Sequence, residues 1–149
     1  MKFVTFAGIS TLLFTSLCYL CSAQTKPEKT ERPADYSELD KAPAKYRAKA
    51  NPMVKDKNAV AAGGVLFEEH CAECHGETAL GTKKAPSLRV PQVQSAPPGS
   101  LFWILTNGIV RKGMPVWSKL PEPQRWQLIS FIQSLGPAEA VENRAAAKP

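Results

Sequence analysis

Cys71-Ala72-Glu73-Cys74-His75 is the stretch on which the reading of this chain turns. Two thiols stand three positions apart and an imidazole follows at once, the spacing that attaches a c-type haem. The order has a chemical reason. Each thiol adds to one vinyl group of the porphyrin, and the next residue offers its imidazole to the iron from the proximal side.

Two rivals compete for the same residues. A structural zinc site takes four ligands, and here only His70 could join, because no other cysteine or histidine follows position 23. A thioredoxin-like redox pair wants a strand before the motif and βαβ texture. A helical pattern stands there instead. Val60, Gly63, Phe67 and Cys71 recur at helical spacing, with Asp56 or Asn58 as the cap. Gly63 and Gly64 each weaken such a helix by about 1 kcal/mol relative to alanine. A glycine on the buried face offsets that cost if a second helix crosses closely there.

The chain has 149 residues, enough for one domain, and 44% of them are hydrophobic. Its net charge of +6 is spread thinly, without a dense basic run or interleaved aromatics. That pattern argues against a nucleic-acid partner and fits docking to an acidic protein or an anionic surface equally well. Lys2 precedes an apolar run over 3–20, and Cys21-Ser22-Ala23 offers a small residue for a signal peptidase. Residues 1–23 are therefore expected to be a signal peptide for export to the periplasm. The alternative is a retained anchor that tethers the protein to the outer face of the cytoplasmic membrane. Lipid modification at Cys18 or Cys21 is disfavoured by the bulky Leu17 and Leu20. With the signal gone, Cys71 and Cys74 are the only cysteines, and one disulfide between such near neighbours would be a weak staple.

Residues 24–57 form a polar extension rich in Pro, Lys and Glu, read either as a spacer or as a strap in which Tyr46, Pro52 and Met53 pack on the domain. The domain itself is expected over 58–136, with a flexible tail at 137–149. Residues 76–99 read as a loop broken by Gly76, Gly81, Pro86, Pro91, Pro97 and Pro98. So long a loop is usually functional, and packing on a porphyrin would explain it. Ser100 is read as the cap of a short helix over 101–107, ended by Gly108. A clear helix is expected over about 121–135, where Trp126, Leu128, Ile129, Phe131, Ile132 and Leu135 make an apolar stripe.

The sixth iron ligand has three candidates. His70 adjoins the attachment site and cannot reach the opposite face, and Met53 lies in the extension. Met114 stands 39 positions after His75 between Gly113 and Pro115, in a loop joining two helices. Methionine is ordinarily core filling, but those flanking turn residues argue against an ordinary core position.

Over about 58–136 the sequence resembles a class I, monohaem cytochrome c, and within that family small exported bacterial c-type cytochromes. The C-x-x-C-H motif carries the resemblance. Gly63-x-x-x-Phe67-x-x-x-Cys71 is similar to the family's first helix, Leu128-x-x-Phe131 to its last, and Gly113-Met114-Pro115 to its axial methionine loop. The resemblance implies an all-α cytochrome c fold, about three main helices around one covalent haem. It implies that the proximal histidine donates to the carbonyl of Pro86 in Ala85-Pro86-Ser87-Leu88. Cys71, Cys74, His75, Pro86, Leu88 and Met114 are thus the expected haem-binding residues, with His75 and Met114 on the iron. Trp103, Trp117 and Trp126 are pocket or core aromatics.

The implied function is electron transfer rather than catalysis. One electron would pass from a dehydrogenase or quinol-oxidising complex to a terminal oxidase, and the protein would be monomeric when soluble. Two alternatives stand beside it: a haem-bearing, membrane-anchored subunit of a respiratory complex, and an open-site haem enzyme or gas binder. Lys83, Lys84, Arg89, Arg111, Lys112 and Lys119 are expected to form a basic docking ring, with Glu68, Glu69 and Glu73 on an acidic far side.

Overall fold

The structure is a computed structural model that describes residues 34–138. The expected signal peptide or anchor, the first part of the extension and nearly all of the tail lie outside the described residues. Among those residues no helix is long and apolar enough to cross a membrane, and every regular element is helical.

The first of the long helices, α2, is Lys57–His70, after a single turn, α1, at Ala44–Arg47. Asp56 starts α2 by accepting hydrogen bonds from the amides of Asn58 and Ala59, which satisfies two of the donors a helix start leaves orphaned. Its buried residues are Ala59, Gly63 and Phe67, one stripe at four-residue spacing. The turn that bears the second thiol, α3, is Ala72–His75. A further short turn, α4, is Pro91–Gln94, and α5 is Pro98–Asn107. The last helix, α6, is Glu122–Ser134, entered through Pro121.

The frame is the crossing of α2 over α6. A Cβ on Gly63 would overlap the carbonyl of Gln127, so only glycine lets the two backbones meet. Phe67 and Phe131 pack across the crossing with ring centroids 5.3 Å apart. Leu128 and Ile129 of α6 are fully buried beneath it. Helix α5 closes the third side, its Phe102 stacked on Trp126 at 4.3 Å. It begins three residues before the start read from sequence. Pro98 supplies a pre-set helical φ in the first turn, and Ser100 is buried inside the helix rather than capping it.

Residues 35–56 lie along this frame as a strap. A 3-10 turn at Ser37–Lys41 leads into α1, which crosses α5 so tightly that a Cβ on Gly99 would overlap the Tyr46 carbonyl. The buried Asn51 donates to Ser130 Oγ at 2.9 Å and caps the Met53 amide through its own oxygen.

Candidate functional site

Helix α2 ends by delivering the first thiol. The Cys71 amide still bonds to the Phe67 carbonyl at 2.8 Å, and the chain then re-coils so that Cys71 also accepts from the amides of Cys74 and His75. This short second coil places both sulfurs and the imidazole on one cavity. Gly76 and Gly81, with φ of +79° and +88°, turn the chain back beneath the histidine. The Gly81 amide bonds to the His75 carbonyl at 2.8 Å, and Thr82 Oγ1 donates to the Cys74 carbonyl at 2.5 Å. A Cβ at Gly81 would come within 2.6 Å of the Ser87 amide nitrogen, so this glycine also seats the Pro86 segment.

His75 Nδ1 lies 2.8 Å from the Pro86 carbonyl oxygen. A carbonyl can only accept, so Nδ1 carries the proton and Nε2 keeps its lone pair for a metal. Burial holds the imidazole below its ordinary pKa and favours that neutral form, while the bond to Pro86 acts the other way. Burial, with a smaller contribution from the neighbouring Cys74, pushes the Cys71 thiol up to about 11. Both cysteines are free and half-buried.

The cavity has a volume of about 380 Å³ and a largely apolar wall. Cys71, Cys74, His75, Pro86, Leu88 and Met114 all line it, so the structure brings together the six residues expected to bind haem. Behind them stand Val93, Leu101, Ile104, Leu105 and Ile132. Met114 arrives on a loop closed by a bridge between Ile109 and Met114, with N···O distances of 3.0 and 3.2 Å. Gly108 and Gly113 turn the ends of that loop with φ of +65° and +88°. A set of two free thiols, a neutral imidazole with one free nitrogen, a thioether and an apolar slot fits a covalently held haem. Among the described residues no group of three or more His, Cys, Asp or Glu that could hold a metal ion occurs.

The other nominees separate. Trp117 lines the cavity and lies 5.2 Å from the His70 ring. His70 lines the cavity, Trp126 is core, and Trp103 is half-buried and not among the lining residues. Met53 packs against the core rather than lining the cavity.

Four of the six cations expected in the basic ring, Lys84, Arg89, Arg111 and Lys112, meet partners within the chain. Glu73 pairs with Lys84 at 2.7 Å. Arg111 and Lys112 pair with Glu38 and Asp35 of the strap. Arg89 turns inward to the carbonyls of Thr78 and Leu135. Charges read as docking groups thus bind neighbouring loops, since a folded backbone brings carboxylates and carbonyls to them that linear spacing does not reveal. Sequence reasoning also missed Asp35, Tyr36, Glu38 and Leu39, all of which line the cavity. Only the acidic and aromatic composition of 35–39, inside an otherwise lysine- and proline-rich extension, could have signalled them.

Residues 58–132 match the family described as cytochrome c oxidase, cbb3-type, subunit III. The chain is also similar to the cbb3-type cytochrome c oxidase subunit CcoP of Azospirillum brasilense, 34% identical over 107 residues, which cover 62% of this chain and 34% of that protein. With the same subunit of Azospirillum sp. (strain B510) the identity is 32% over 101 residues, covering 61% and 33%. The chain spans about a third of the length of these curated relatives.

Proposed function

The chain belongs to the cytochrome family of cbb3-type oxidase subunit III, and from that premise we propose that it is a haem-bearing electron-transfer unit of a respiratory terminal oxidase. The observation that carries the proposal is the single cavity gathering Cys71, Cys74, His75 and Met114.

In this reading Cys71 and Cys74 hold the porphyrin through thioether bonds. His75 would hold the iron through Nε2, the ring being oriented by the Pro86 carbonyl 2.8 Å from its Nδ1. Met114, on the same cavity, would offer its thioether as a second ligand, and His/Met ligation would raise the potential. When bound, the haem supplies an iron that gains and loses one electron. The protein's own task is to keep the surroundings unchanged in both states. Leu88, Leu101, Leu105 and Ile132 keep water away from the slot, and the turn of Gly76–Gly81 fixes the imidazole. The exposed Val110 and Val116 flank Met114 in sequence and offer an apolar surface for a partner's close approach.

Similarity to oxidase subunits favours a fixed place in a complex over a freely diffusing carrier. The placement is on the outer face of the cytoplasmic membrane, where the haem would relay electrons toward the oxygen-reducing subunit. The test is to produce the chain with the c-haem maturation machinery in its own membrane and solubilise it gently. We expect the peptide containing Cys71 and Cys74 to carry one haem mass and the protein to co-purify with the oxidase. Its reoxidation by oxygen should stop when cyanide blocks that oxidase. Haem attachment without co-purification, and with cyanide-insensitive reoxidation, would reject the oxidase assignment. A Cys71→Ser/Cys74→Ser variant that still held haem covalently would reject the attachment site.

A further inference from the structure

One short segment of the strap touches both sides of the cavity. On the proximal side the Tyr36 hydroxyl donates to the Ser87 carbonyl at 2.8 Å, one residue from the Pro86 carbonyl that orients His75. On the distal side Glu38 Oε1 accepts from Arg111 Nη2 at 2.7 Å, and Asp35 Oδ2 accepts from Lys112 Nζ at 2.8 Å. Lys112 also lies 3.7 Å from Glu38 Oε1, and Lys41 holds the same oxygen at 2.8 Å. Arg111 and Lys112 belong to the 3-10 turn Val110–Lys112, two residues before Met114. Asp35, Tyr36, Glu38 and Leu39 meanwhile form part of the cavity wall.

The distal loop needs such support. Its internal structure is one bridge and one 3-10 turn, its far end is held by the Trp117 amide on the Leu105 carbonyl at 2.9 Å, and nothing lies within 4 Å of where a Cβ would stand on Gly113. Glu38, by contrast, is 8% exposed, so water competes for its ion pairs less than at an open surface.

We propose that residues 35–38 are a clasp that positions the Met114 loop against the cavity, with Glu38 the positioning residue that sets how firmly the sixth coordination site is held. The inference builds on the assignment of His75 and Met114 as iron ligands. It gives the extension a role in the site itself. The clasp acts through Arg111 and Lys112 on the loop, and Tyr36 ties the same segment to the proximal side.

The test uses the full haem-loaded protein and three variants: Glu38→Gln, which keeps shape and removes charge; Arg111→Gln, on the exposed side of the same pair; and Asp40→Asn, a control in the same turn outside the cavity wall. Two readouts apply: the methionine-to-iron band of the ferric protein, and the rate at which the ferrous protein binds carbon monoxide. We expect Glu38→Gln to weaken the band and to speed carbon monoxide binding about three- to tenfold, the range for losing charged hydrogen bonds. Arg111→Gln should move both readouts the same way by less, and Asp40→Asn should move neither. Should Glu38→Gln not accumulate, Arg111→Gln carries the test. A wild-type band with Glu38→Gln and Arg111→Gln both within twofold of wild type would overturn the clasp and leave the ligand assignment standing. A wild-type protein without the band, binding carbon monoxide freely, would overturn both.

Discussion

Where α2 crosses α6, the surfaces that meet are glycine, alanine and phenylalanine, with a backbone carbonyl filling the gap above Gly63. The loop carrying Met114 is tied down differently, by one antiparallel bridge, the Trp117 amide bonded to the Leu105 carbonyl at 2.9 Å, partial packing on the core and a cluster of ion pairs from a distant part of the chain. Apolar close packing depends little on salt or acidity near neutrality. Ion pairs depend on both. The frame that carries Cys71 and His75 is therefore constant, whereas the wall facing it holds conditionally. Under the proposed function a redox site would gain from this division: the side bearing Cys71 and His75 would keep the cofactor, and the Met114 side would govern what can reach it.

The sharpest way to break the comparison is at the crossing. Gly63→Ala places a Cβ where the Gln127 carbonyl sits, and backbone atoms cannot give way as a flexible side chain can. We expect a loss of about 3 kcal/mol or more, seen as a fall in the thermal midpoint and in the yield of haem-loaded protein. A thermal midpoint equal to wild type would mean the crossing is looser than the structure shows.

Next in size is Met114→Ala. Met114 is half-buried on a loop, so helix content and haem attachment should survive, while carbon monoxide binding to the ferrous form changes from slow to rapid. Loss of haem attachment in this variant would show that the distal loop belongs to the frame after all.

Acid separates the two regions without mutation. Hydrogen bonds from Lys41 and Arg111 lower the Glu38 pKa from 4.5 to about 2, and Lys112 with Ser37 holds Asp35 well below the usual carboxylate range. Because the folded pKa values are depressed, the clasp contributes fully above about pH 4.5. That contribution falls away as pH drops toward 2. Between those values we expect the methionine-to-iron band to decline before the helical circular dichroism does. Simultaneous loss of both signals would argue against a separately held distal wall.

Two smaller changes sharpen the contrast. Asp56→Ala removes the α2 cap and should cost about 1 kcal/mol, with the methionine-to-iron band unchanged. Tyr36→Phe removes the bond to Ser87 and should cost about 1 kcal/mol, this time with a measurable weakening of the band.

The same division explains what could be read from the sequence. The crossing was legible because Gly63, Phe67 and the stripe from Trp126 to Leu135 repeat at helical spacing, and burial imposes that period. Cys71, Cys74 and His75 are local, Met114 is marked by the flanking Gly113 and Pro115, and Pro86 is reached only through the family resemblance. The strap obeys no period. It is held by single polar bonds such as Tyr36 to Ser87 and Asn51 to Ser130, across 51 and 79 residues. Gly99 looked like a loop residue until Tyr46 came to lie on it. Arg89 and Lys84 looked like solvent-facing charges because nothing in their neighbourhood of the chain discloses the carbonyls and the carboxylate they meet.

The most direct test of the central claim is the iron-edge X-ray absorption spectrum of the haem-loaded ferric protein. One sulfur scatterer at bonding distance, present in wild type and lost in Met114→Ala, is the predicted result. A wild-type iron with only nitrogen or oxygen neighbours would contradict the assignment of Met114 and the conditional wall built around it.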